Sequence, residues 1–214
     1  MDWDAARYEE WFTTREGRFA LGAERRLLDS VVAEWPRRNQ RVLEIGCGTG
    51  LFQHILFDDG FSVAGLDKSP GMIDAARKRL GPEAELYVGD GEVLPFADKE
   101  YDFCVLWTVL EFCEDPGRAL AEAARVAAKG LLIGFLNRHS AYWLARGCCW
   151  PMTCGSCSAT ASSALSPSNT TRGLMPRNSR RSARVVMNSC SSSTRRIFQS
   201  CLFMPVPRAA PWAR

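Results

Sequence analysis

The sequence predicts an α/β domain built on a parallel sheet with helices on both faces. Three observations predict it. Five apolar strand-like runs, with three helix-period stretches among them, lie between residues 41 and 135. The strand runs are continuously apolar rather than alternating, as expected where both faces of a sheet are covered. The first strand passes through three glycines at alternate positions, Gly46, Gly48 and Gly50, directly into a helix. A strand, a glycine turn and a helix form a nucleotide cradle, because glycine lets the backbone approach a ligand with no Cβ in the way.

Each element follows from local pattern. Residues 2–35 read as one or two helices, with Ala20, Leu21, Leu27, Leu28, Val31, Val32 and Trp35 forming an apolar stripe that Pro36 ends. Ahead of the stripe, Tyr8, Trp11 and Phe12 make an aromatic cluster that suits either packing or a lid over a small-molecule site. Residues 41–45 are strand 1. The helix from Gly50 ends near Asp59, with Gly60 as its C-terminal cap. Residues 61–66 are strand 2, ending at Asp67. Ser69 and Pro70 supply an N-cap and a first-turn proline for the next helix, which Gly81 closes. Residues 84–88 and 101–106 are strands 3 and 4. Asp115 and Pro116 repeat the cap-and-proline start of a helix running to about Ala128. Residues 131–135 are strand 5, and residues 139–146 form a further short helix.

Composition limits the function classes. The 214 residues suffice for one domain and an appendage. No run of about 18 apolar residues suggests a membrane span. The acidic start, Met1 to Asp4, has no apolar signal core, which argues for a cytoplasmic protein. Nine cysteines occur without a secreted-scaffold setting. Cys47, Cys104 and Cys113 are expected to be small reduced hydrophobes. Cys148, Cys149, Cys154 and Cys157 lack the four-ligand spacing of structural zinc, so no metal site is assigned.

The net charge of +3 conceals a split. Residues 1–150 carry 18 basic and 24 acidic residues, a net of −6, whereas residues 151–214 carry nine arginines and no acid. That segment also holds 13 serines and 6 prolines, and no helical or strand period is visible in it. The reading divides the chain into an N-terminal helical lid (1–40), a core (41–147) and a disordered Ser/Arg/Cys-rich tail (148–214). The abrupt change near Gly147 points to a reading-frame slip. A genuine basic tail that contacts phosphates is the alternative, although bases would find few aromatics to stack on there.

Two stretches carry the chemistry. Asp67 stands at the end of strand 2, 21 residues after Gly46, where a carboxylate can accept both ribose hydroxyls of an adenosine-containing ligand. That position suits a nicotinamide dinucleotide as well as S-adenosylmethionine. The glycine spacing does not, because the dinucleotide pattern places its third glycine one residue later. The second stretch is Gly89-Asp90-Gly91-Glu92-Val93-Leu94-Pro95-Phe96, where an acid at a strand end can accept from an amine.

With Glu44 the first stretch reads E-x-G-x-G-x-G, which resembles the first motif of class I S-adenosylmethionine-dependent methyltransferases of the small-molecule type. The second stretch resembles the motif that follows strand 3 in that family, and residues 101–112 and 123–133 resemble its fourth strand, helix and fifth strand. The resemblance covers about residues 5 to 147. It implies a Rossmann-like methyltransferase sandwich with S-adenosylmethionine as cofactor and a small-molecule acceptor. It implies cofactor-binding roles for Glu44, Gly46, Cys47, Gly48, Gly50, Asp67, Lys68, Met72, Asp90, Gly91, Glu92, Trp107 and Thr108. In such enzymes the N-terminal helices cover the active site, which gives Tyr8, Trp11 and Phe12 a lid role. Glu111 and His139 are further acceptor-side candidates, and no catalytic residue is assigned. His54 is read as structural or exposed. The family's sixth and seventh strands are not found in residues 148–214, so an inactive cofactor-binding domain is a competing reading, as is a nicotinamide oxidoreductase. Nucleic acid and oligomeric state receive no positive signal.

Overall fold

A computed structural model describes residues 4–136, 184–186 and 199–205. The short helix expected at 139–146, His139, the four cysteines from Cys148 to Cys157 and most of the expected tail lie outside the described residues.

Helices α1 (Ala5–Thr13) and α2 (Arg15–Val32) come first. They are divided at Thr14, whose side chain accepts the Gly17 N–H and caps α2. The alternating core follows: β1 (Arg41–Ile45), α3 (Leu51–Asp58), β2 (Ser62–Asp67), α4 (Pro70–Leu80), β3 (Glu85–Val88) and β4 (Tyr101–Trp107). A 3-10 turn (Leu110–Phe112), α5 (Pro116–Val126) and β5 (Ala127–Leu136) complete it. Ser69 and Asp115 cap α4 and α5 as their sequence positions predict, each with proline in the first turn. Helix α5 ends two residues sooner than expected and runs straight into β5.

The five parallel strands lie in the order 3-2-1-4-5. The period of two along each strand sorts the side chains. Leu43, Ile45, Leu66, Cys104, Leu106, Leu131 and Ile133 meet α5 through Ala119, Ala123 and Val126. Val42, Phe103, Val105, Trp107 and Leu132 meet α2 and α3 through Leu28, Val32, Trp35, Phe52, Ile55 and Leu56. Trp35 stacks on Phe103 with centroids 4.0 Å apart. The alternation puts Glu44 and Asp67 on the α2/α3 side with Val42 and Trp107.

The expectation that strands beyond β5 are missing is corrected. Two further strands, β6 (Arg184–Val186) and β7 (Gln199–Pro205), extend the sheet to 3-2-1-4-5-7-6. β7 runs antiparallel to both β5 and β6, pairing Gly130 with Pro205 through Leu136 with Gln199. The β5 edge is therefore covered, which removes an unpaired ladder. The strands escaped the sequence reading because they are short and separated by Ser/Arg-rich segments. The four apolar residues from Cys201 to Met204 were the local signal.

Candidate functional site

The site is built at the carboxyl ends of the parallel strands, where open α/β sheets hold ligands. β1 delivers the chain into a turn in which Gly46, Gly48 and Gly50 all have left-handed φ values, +72°, +53° and +74°. Side chains are strained there, which is why three glycines recur. Their surroundings differ. A Cβ on Gly46 would lie 2.2 Å from Val109 Cγ2, and one on Gly50 would crowd Ala76 and Leu80 of α4. A Cβ on Gly48 would meet nothing within 4 Å. Gly48 is thus the open face of the cradle, while Gly46 and Gly50 let the turn fit against its supports.

Asp67, at the end of β2, ties this turn down. Its Oδ2 accepts the Gly48 N–H at 2.8 Å and its Oδ1 accepts the Ser69 N–H at 2.9 Å. Burial raises its carboxyl above the ordinary value, and the N–H groups of Ser69, Gly48 and Lys68 oppose that rise. The carboxylate keeps lone-pair capacity for a further donor. Glu44 is 1% exposed, and its Oε2 has no hydrogen-bond partner among the described residues. Burial and then the nearby Asp67 push its carboxyl well above the ordinary range, opposed by the Gln53 N–H. That N–H belongs to the first turn of α3, whose N-cap glycine offers no side chain. Thr49 Oγ1 and Gln53 Oε1 are also buried without partners among the described residues.

The Asp90 stretch crosses beside this turn. Asp90 Oδ1 accepts the Glu92 N–H, and Oδ2 pairs with Lys68 Nζ at 2.9 Å on the surface. The Glu92 N–H, then Lys68, hold the Asp90 carboxyl below its ordinary value. Gly91 lets the chain pass close over Ile45, since a Cβ there would stand 2.9 Å from Ile45 Cγ2. Glu92 turns away to accept the N–H groups of Glu114 and Asp115 ahead of α5. Arg125 clamps the following residues, donating to the carbonyls of Leu94 and Phe96 while pairing with Asp98 and Glu122.

Several expected site residues sit deeper than their assigned roles suggest. Trp107 is 3% exposed and packs on Phe52 with centroids 5.2 Å apart. Met72 and Cys47 are buried. Thr108 holds a left-handed φ of 51° while its N–H donates to the Gly134 carbonyl. A β-branched residue in that region is strained, and such strain gathers at functional sites. Glu111 lies half-buried in the 3-10 turn. His54 lies half-exposed on α3, 3.8 Å from Asp58.

Helix α1 meets α4 through the Glu9–Arg79 pair. Tyr8 packs edge-on against Phe12, and Phe12 against Trp11. The Tyr8 hydroxyl is pushed up by burial and by the fields of Glu24, Glu44 and Asp67. Arg79 of α4 bridges the parts, donating from Nε to the Thr49 carbonyl at 3.0 Å and pairing with Glu9 of α1.

Glu24 and Arg79 were not singled out from sequence. Glu24 had a signal, being an acid four residues from both Ala20 and Leu28 on the apolar face of α2. Arg79 had none, because its role depends on α1 and the glycine turn meeting α4.

Comparison with known proteins places this geometry. The methyltransferase domain profile matches residues 43–134. A malonyl-[acyl-carrier protein] O-methyltransferase of Serratia marcescens is 40% identical over 96 residues, 45% of this chain and 37% of that protein. A demethylmenaquinone methyltransferase of Renibacterium salmoninarum is 37% identical over 106 residues, 50% of this chain and 44% of that protein. The crystal structure of an S-adenosylmethionine-dependent methyltransferase of Thermotoga maritima, described as a possible histamine N-methyltransferase, superposes with a TM-score of 0.53 at 35% identity. That match covers 63% of this chain and 59% of the other. The chain thus spans less than half the length of the two curated relatives. No helix among the described residues is long and apolar enough to cross a membrane. The core from β1 to β5 is a class I S-adenosylmethionine-dependent methyltransferase domain.

Proposed function

We propose that this chain transfers the methyl group of S-adenosylmethionine to a small-molecule acceptor. The observation that carries the proposal is the glycine turn. Three alternate glycines stand in left-handed conformations, the middle one opens to free space, and its N–H is fixed by Asp67. Such a turn suits a ligand whose backbone contacts lie at Gly48 and whose ribose hydroxyls reach the remaining lone pairs of Asp67. S-adenosylmethionine, when bound, supplies a methyl group already activated on a sulfonium.

The chain's own task is binding, orientation and exclusion of water. Asp67 accepts the ribose hydroxyls while holding Gly48. Asp90 accepts an adenine amine proton, with Lys68 releasing one oxygen or sharing it. Gly91 and Glu92 set the wall beside the adenine, Glu92 by fixing the start of α5. Glu44 and Cys47 support the turn from below, and Met72 supports it from α4. Trp107 and Thr108 bound the methionine side. Tyr8, Trp11 and Phe12 close the site through α1, which makes residues 1–40 the lid. Glu111 and His139 are acceptor-side candidates. No side chain is assigned as a base, because an activated sulfonium asks only some acceptors for one.

Titration calorimetry with S-adenosylhomocysteine and with NADH tests the reading. Binding of S-adenosylhomocysteine is the expected result. Tight NADH binding with no response to S-adenosylhomocysteine overturns it.

A further inference from the structure

Arg79 stands where α4, the glycine turn and α1 meet, and the roles proposed above leave it out. It lies in the last turn of α4, and its side chain is 26% exposed. Packing sets its position. Ala76 and Leu80, on the same face of α4, bear on the turn: a Cβ on Gly50 would stand 3.1 Å from Ala76 Cβ and 3.0 Å from Leu80 Cδ1. That face brings the guanidinium to Thr49, the residue between the open Gly48 and the crowded Gly50. Its Nε donates to the Thr49 carbonyl at 3.0 Å, and its Nη2 donates to Glu9 Oε1 of α1. The neighbouring N–H groups of the turn are also engaged, Gly48 with Asp67 and Gly50 with the Cys47 carbonyl.

Helix α1 is held differently. None of its residues is fully buried. It breaks from α2 at Thr14, where the backbone is extended (φ −69°, ψ 164°). Just past that break the two helices meet closely, since a Cβ on Gly17 would stand 2.1 Å from the Trp11 carbonyl oxygen. The C-terminal end of α1 is thus fixed against α2, while Glu9, nearer its N-terminus, is tied to α4. A helix seated in this way has little buried surface to resist detachment. One planar guanidinium, with two donors in fixed relation, links the conformation of the turn to the seat of that helix.

We propose that Arg79 is a positioning residue that couples occupation of the glycine turn to the seating of α1. The inference rests on the methyltransferase reading above. A ligand lying on the Gly48 backbone fixes the adjoining Thr49 peptide. The Thr49 carbonyl then holds Nε, and the rigid fork presents Nη2 to Glu9. Arg79 acts indirectly, through Thr49 and Glu9. Such coupling is reciprocal, so a seated α1 strengthens cofactor binding by the factor with which the cofactor steadies α1.

Amide hydrogen exchange and titration calorimetry with S-adenosylhomocysteine test the coupling, and thermal melts check that each variant folds. In the unaltered chain the ligand should slow exchange across residues 8–13 of α1 about fivefold or more. Glu9→Ala and Arg79→Ala should each weaken binding by a factor of about five or more, and in both the ligand should no longer slow exchange in α1. The double variant should bind no more weakly than Arg79→Ala, whereas independent sites would multiply the two losses. Arg79→Lys keeps the charge, yet a single ammonium does not reproduce the fork that spans both acceptors. It should fold normally and lose the ligand's effect on α1. Exchange in α1 that ignores S-adenosylhomocysteine in the unaltered chain overturns the inference, as does a multiplied loss in the double variant. A lower melting temperature in Arg79→Ala with unchanged affinity makes the residue merely structural and overturns it too. In each of these cases binding of S-adenosylhomocysteine leaves the methyltransferase reading standing. No binding by the unaltered chain overturns that reading and the inference together.

Discussion

Asp67 and Gly48 are joined across the mouth of the site. The Asp67 Oδ2 accepts the Gly48 N–H at 2.8 Å, so the end of β2 sets the conformation of the turn after β1. One carboxylate therefore shapes the cradle and offers its remaining lone pairs to a ligand. Asp67→Ala should weaken S-adenosylhomocysteine binding at least tenfold, about 1.4 kcal/mol. Asp90→Asn should cost less, since it keeps an acceptor oxygen and Asp90 already shares its charge with Lys68. Calorimetry on the two variants gives the order. An affinity unchanged in Asp67→Ala would show that the ribose is held elsewhere.

The glycines separate fold from binding. Gly46→Ala drives a Cβ into Val109 at 2.2 Å and adds left-handed strain of about 1–2 kcal/mol, so its melting temperature should fall steeply. Gly48→Ala carries similar strain in open space. It should melt only a few degrees lower yet lose most cofactor affinity, because its methyl group fills the cradle. Paired melts and titrations of both variants check the contrast.

Arg125 should be a stability residue. Arg125→Ala leaves the Leu94 and Phe96 carbonyls without its donors and frees the loop that carries Asp90. A loss of about 1.5–3 kcal/mol is expected for hydrogen bonds to a charged group. Urea denaturation measures it, and a midpoint within error of the unaltered chain would refute it.

Glu24 makes stability depend on pH with a definite sign. Its carboxyl is raised from 4.5 in the unfolded chain to about 8 in the folded one. The folded state therefore holds the proton through that window while the unfolded state has lost it. Stability contributed by the neutral acid is complete below about 4.5 and is lost as pH rises through 8, at no more than about 1.4 kcal/mol per unit. Glu24→Gln should flatten this slope and be the more stable chain at about pH 8.5. Denaturant midpoints across pH test it, and parallel profiles would count against it.

β7 should be a protected strand. Its pairing with β5 runs from Gly130/Pro205 to Leu136/Gln199. Amides in residues 199–205 should exchange slowly, and removal of residues 199–214 should expose β5 and promote aggregation. Rapid exchange throughout 199–205 would return the segment to the disordered tail expected from its composition.

The sequence by itself determined the order and nature of the elements from α1 to β5. Local signals carried them: apolar runs for the strands, Ser69-Pro70 and Asp115-Pro116 for two helix starts, and alternate glycines where φ is left-handed. It also named Asp67 and Asp90, because strand ends preceding capped helices or glycine turns are short-range features. Tertiary structure decided what those features touch. The bond from Asp67 to Gly48 and the Arg79 bridge from Thr49 to Glu9 join residues that are distant in sequence or on different elements. The two strands beyond β5 belong with them: three and seven residues long, they gain definition only by pairing with a β5 edge that no local pattern encodes.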